Sequence, residues 1–103
     1  MSEDKEFIRF MAVFTLPESL SDAVRSIIPE QREMIKQYLY SGKIIHFALT
    51  KDRKRFWIVF SCSSEAELLF LIDHLPLTKY LDFDYHELLF LEMIALNPTF
   101  SVN

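Results

Sequence analysis

A single glycine and a single cysteine leave this chain of 103 residues little loop material and no intramolecular disulfide. The cysteine, Cys62, lies inside an apolar run, where such a residue usually serves as a small buried side chain, so a reducing, cytoplasmic setting is expected. No run approaches the roughly 18 apolar residues that cross a bilayer. The opening residues, MSEDKE, lack the basic start and apolar stretch of a secretory signal. No glycine-rich phosphate loop, paired CxxC or nucleophile elbow occurs, which removes nucleotide, zinc-ribbon and hydrolase readings. Metal-ligand spacing is also missing, and neither a metal nor a cofactor is expected. A net charge of -4 argues against a nucleic-acid surface, which needs an excess of Lys and Arg.

What the chain has instead is aromatic bulk: ten Phe, four Tyr and one Trp. Half of the residues are apolar, enough for the core of one domain spanning 1–103, with an ordered core over about 7–94 and an irregular tail over 95–103. A monomer of this size would struggle to hide so much apolar surface, which predicts a partner chain.

Residues 7–16 alternate as a strand does, with Ile8, Phe10, Ala12, Phe14 and Leu16 on one face and Arg9, Met11, Val13 and Thr15 on the other. Pro17 ends that pattern. Ser19 or Ser21 then caps a helix whose stripe runs through Leu20, Val24, Ile27, Ile28, Ile35, Tyr38 and Leu39. Pro29 either kinks this helix or opens a second segment. Gly42 supplies the left-handed stop. Residues 43–50 alternate again, placing Ile45, Phe47 and Leu49 opposite Ile44, His46, Ala48 and Thr50. The charged connection from Lys51 to Arg55 reads as a solvated hairpin turn before a strand over 56–61. Ser64 and Glu67 have the spacing of a capping box, and Leu68, Leu71, Ile72 and Leu75 form a core stripe that leaves Leu69 and Phe70 surplus. His74 falls in the last turn of that helix, where a partial positive charge is favourable. Pro76 fixes the helix end, and the period then changes to that of a strand over about 82–92.

The order strand, helix, strand, strand, helix, strand suits a four-stranded antiparallel sheet with both helices on one face, the ferredoxin-like βαββαβ arrangement of the α+β class. The opposite sheet face is expected to be bare, carrying Met11, Val13, Ile44, Ala48, Phe56 and Ile58. Two such faces packed together would make a dimeric α+β barrel enclosing a cavity.

The sequence resembles the muconolactone delta-isomerases over about 7–89. The shared features here are Leu16-Pro17, Gly42-Lys43, His46, Ser64 with Ala66, Glu67 and Leu68, and the run LPLTKYLD between the last helix and the last strand. The resemblance implies a dimeric α+β barrel that can join into larger oligomers, and a reaction that moves a proton around a small unsaturated lactone. Where those isomerases carry a Glu-Lys pair in the first helix, this chain has Gln31 and Arg32. A glutamine cannot serve as a carboxylate base. Met11, Val13, Phe56 and Ile58 would also make a more apolar pocket.

Side-chain parity places Arg9, His46, Asp84 and His86 on the face predicted to enclose the cavity. A histidine titrates near neutral pH, an aspartate orients it and an arginine holds an anion, so His46, Asp84 and His86 are the candidate acid-base residues. Arg9 and Arg32 are the candidate anion anchors. Two readings follow: a proton-transfer isomerase acting on a small unsaturated or cyclic organic acid, or a non-catalytic oligomeric or ligand-binding member of the same fold. In the second, the apolar faces close into a dimer core and Leu69 and Phe70 build further subunit contacts.

Overall fold

The computed structural model of the chain describes residues 7–92. The tail expected over 95–103 lies outside the described residues. Strand β1 (Ile8–Thr15) is followed by helix α1 (Asp22–Ser41), strands β2 (Ile44–Leu49) and β3 (Arg55–Cys62), helix α2 (Glu65–Asp73), a short 3-10 turn (Thr78–Tyr80) and strand β4 (Asp82–Glu87). The strands form one antiparallel sheet in the order β2-β3-β1-β4. This is the expected ferredoxin-like βαββαβ fold. Its last strand stops at Glu87, five residues short of the expected Glu92.

Each helix is delimited by chemistry visible in the sequence. Ser21 is the cap of α1, its hydroxyl accepting the Val24 amide at 3.2 Å and so filling one of the open donors of the first turn. Pro29 sits inside α1, which runs through it as one continuous element. Gly42 closes the helix at φ +82°, its amide donating to the Leu39 carbonyl at 3.3 Å. In α2 the Ser64 hydroxyl accepts the Glu67 amide at 3.1 Å, one half of a capping box. The other half is displaced by one residue, because the Glu67 carboxylate takes the amide of Ser63 rather than that of Ser64.

The core fills the space between the helices and one sheet face. Phe10, Ala12 and Phe14 of β1 lie opposite Phe60, Ile58 and Phe56 of β3, and paired residues in an antiparallel sheet point to the same side. All six are buried, with Val24 and Ile35 of α1 and Leu68, Leu71 and Ile72 of α2 packed over them. Within the core the rings of Phe14 and Phe56 stack 4.7 Å apart. Phe56 and Ile58 therefore belong to the helix-covered face, not to the bare one. Ile44 is also in the core, paired with Phe60. A bulge between Ile44 and His46 inserts one residue, so Ile44 points inward while His46 and Ala48 keep the open side.

The run after α2 locks the layers together. Leu75, Leu77 and Leu81 are buried, and the Thr78 hydroxyl, also buried, bonds the carbonyls of Ile72 and Leu75 at 2.8 and 2.9 Å, closing the helix end. The amide of Leu77 donates to the buried Gln31 side-chain oxygen at 2.9 Å, tying α1 to this turn across the molecule.

Candidate functional site

The open sheet face is read directly from the strand register. His46 pairs with Val59, Val59 with Met11, and Met11 with His86, so these four form one row across the sheet from edge to edge. The neighbouring row is Ala48, Trp57, Val13 and Asp84, and the next holds Arg55, Thr15 and Asp82. Arg9 pairs with Ser61 on the other side of the first row. Met11, Val13, Trp57 and Val59 make an apolar centre, and charged or titratable side chains occupy its border.

Arg9, His46, Asp84 and His86 thus share the open face, and all four are exposed. They do not all come together. Asp84 and His86 are alternate residues of edge strand β4, and Arg9 lies one strand away, diagonal to His86. His46 stands on the opposite edge strand, three strand spacings from His86 or about 14 Å. Arg32 is exposed on α1, beyond the helix-covered face, and is separated from the other four by the sheet itself.

The position before it has a different role from that of a catalytic carboxylate. Gln31 is buried on the inner stripe of α1, its oxygen accepting the Leu77 amide while its side-chain nitrogen has no hydrogen-bond partner among the described residues. Its place seven residues after Val24 and four before Ile35 was a signal that it turns inward, masked by its polarity.

Lys43, next to the helix-closing Gly42, reaches across to α2. Its ammonium meets the Glu67 carboxylate at 2.6 Å, and the other Glu67 oxygen accepts the Ser63 amide at 2.7 Å and hydroxyl at 2.9 Å. These contacts, Lys43 foremost, hold the Glu67 carboxyl down at about 2. The adjacent Cys62 is fully buried, and burial pushes its thiol up to about 11, so it stays protonated and unreactive. His74 caps α2, its backbone amide bonding the last-turn carbonyls and its Nδ1 lying 2.8 Å from the Phe70 oxygen. The Lys51 to Arg55 connection is a hydrogen-bonded turn, with Asp52 accepting the Thr50 hydroxyl at 2.7 Å and the Lys54 amide at 2.9 Å.

A separate groove of about 540 Å³ lies beside α2, lined by Leu69, Phe70 and Phe83 with Asp73 and Lys79 at its border. It contains none of the candidate acid-base residues. Among the described residues, no three His, Cys, Asp or Glu side chains are grouped as metal ligands would be, and no helix is long and apolar enough to cross a membrane.

No family model and no curated protein matches the chain. Among solved structures it is similar to a dimeric ferredoxin-like protein from an uncultured marine organism, at 15% identity and a TM-score of 0.48, over 89% of this chain and 96% of that one.

Proposed function

We propose that the protein works as a cytoplasmic homodimer, two open sheet faces packed on each other, that binds a small unsaturated or cyclic organic acid between them and isomerises it by proton transfer. The observation that carries this reading is the makeup of the open face: an apolar centre of Met11, Val13, Trp57 and Val59 bordered by His46, Asp84, His86 and Arg9. An apolar sheet face needs cover, and two such faces typically pack about 10 Å apart. The border residues supply what proton transfer requires. An imidazole takes the proton from the carbon beside an unsaturated carbonyl, the electron pair moves into an enolate facing the Arg9 cation, and the imidazolium, whose proton exchanges with water, gives one back at the far end of the conjugated system. The net change is a shifted double bond. Likeness to the muconolactone isomerases supports the substrate class.

The test has two arms. Light scattering should give a dimer for the native chain and a monomer for Met11→Asp and Val13→Asp. Muconolactone and related unsaturated acids are then titrated into the protein in deuterated water, and ring-proton exchange is followed by NMR. Exchange that His46→Ala reduces by about 100-fold, the usual weight of one general acid or base, is the expected result. A dimer that binds none of these acids and exchanges no proton would instead identify a non-catalytic assembly.

A further inference from the structure

We infer that the acid-base site is composite, formed by His46 of one chain and by the partner's His86 and the partner's Asp84, so that each dimer holds two sites and a single chain holds none. The inference rests on the face-to-face dimer proposed above. In one chain His46 and His86 lie in the same row but at opposite edges, and Val59 and Met11 fill the space between them. No small molecule contacts both imidazoles in that arrangement. Packed sheets keep their strands within about 30° of one another, which leaves two orientations for the twofold axis of a symmetric pair: along the strands or across them.

Charge on the open face distinguishes these orientations. Asp82 and Asp84 make the β4 edge acidic. Arg55, with Arg53 and Lys54 of the exposed turn, makes the β2-β3 corner basic, and it lies at the same end of the sheet, since Thr15 pairs with both Arg55 and Asp82. An axis across the strands sets each edge over its own copy with the strand direction reversed, so the basic corner and the acidic edge stay on opposite sides and do not meet. An axis along the strands sets β2 over the opposing β4, which brings the basic corner onto the acidic edge. That second rotation keeps every residue in its own row while exchanging the edges. His46 then faces the partner's His86, with the partner's Asp84 in the adjacent row and the partner's Arg9 diagonal to it. The same operation generates the second site at the other edge.

Cross-linking between single cysteines tests the orientation. Coexpressed His46→Cys and His86→Cys chains are treated with a bismaleimide spanning about 10 Å, matching the separation of packed sheets. Cys62 is fully buried, so the native chain serves as the unreactive control. The expected product joins the two different chains, while either variant alone yields none, because like positions would be about 17 Å apart. A second arm reverses charge: Arg55→Glu should weaken the dimer by about 10-fold, and Arg55→Glu with Asp82→Arg should restore it to within about threefold. Cross-links between like positions, no cross-link in a proven dimer, or a double variant as weak as the single one would overturn the composite site while leaving the dimer standing. A native chain that light scattering finds monomeric would overturn both.

Discussion

Glu67 shows how one side chain joins two elements. Its amide is capped by Ser64, its carboxylate takes Ser63, and its second oxygen reaches Lys43 just before β2. The bound state is the ionised one, so the folded protein holds this carboxyl near 2 against 4.5 for the free side chain. A depressed folded value contributes stability that is fully present above about pH 4.5 and is lost as pH falls toward 2. Glu67→Gln should therefore cost about 1 kcal/mol at pH 7, on the scale of one partly exposed charge-assisted bond, and should flatten the acid limb of the stability curve. Urea unfolding of both proteins between pH 7 and 2.5 measures it, with the two curves converging at the acid end. The Ser64-Glu67 half of this arrangement was legible because it is local. Lys43 is 24 residues away in sequence, and only the fold brings it near. Gln31 was illegible for a related reason: its partner is the Leu77 amide, 46 residues on.

Elements were legible where the sequence carries a physical stop. Pro17, Gly42 and Pro76 each mark an end the structure keeps, because each removes a donor or admits a backbone conformation that other residues resist. Gly42 gives the measurable case. A Cβ there would meet nothing within 4 Å, so the cost of a side chain is purely the backbone at φ +82°. Gly42→Ala should lower stability by about 1 kcal/mol, or the melting temperature by about 4–8 °C, with the fold unchanged. Circular dichroism melts check both points. The phases of β2 and β3 were not legible. The run FWIVF is apolar at every position, so alternation cannot say which side faces the helices, and the choice of Phe56 and Ile58 for the open face came from that ambiguity. In β2 a one-residue bulge inverts the parity of Ile44 relative to His46, and a bulge leaves no mark in the alternation itself.

At the scale of the molecule, the two faces of the sheet are unequal. Both helices cover the side of Phe10, Phe14, Phe56 and Phe60, while among the described residues no layer lies above the side of Met11, Val13, Trp57 and Val59. The parity of β1 made this asymmetry legible from the start, and β1 is also where Arg9, Met11 and Val13 fell on the open face as expected. Burying that face in a second copy makes unfolding a dissociation as well. The melting temperature of a folded dimer then depends on protein concentration, because mass action favours the bound state by about 1.4 kcal/mol of dimer for each tenfold rise in free partner. Calorimetric scans from 5 to 500 μM should therefore show a midpoint that climbs steadily with concentration. Val13→Asp sets an ionised carboxylate in the middle of the proposed interface, where its desolvation opposes association, yet on a free sheet face the same group is solvated. Its midpoint should be lower than that of the native protein at high concentration and independent of concentration throughout. A native midpoint that stays constant over that hundredfold range would mean that the open face remains uncovered, and the small-acid site would then have to be built from the β4 edge of one chain.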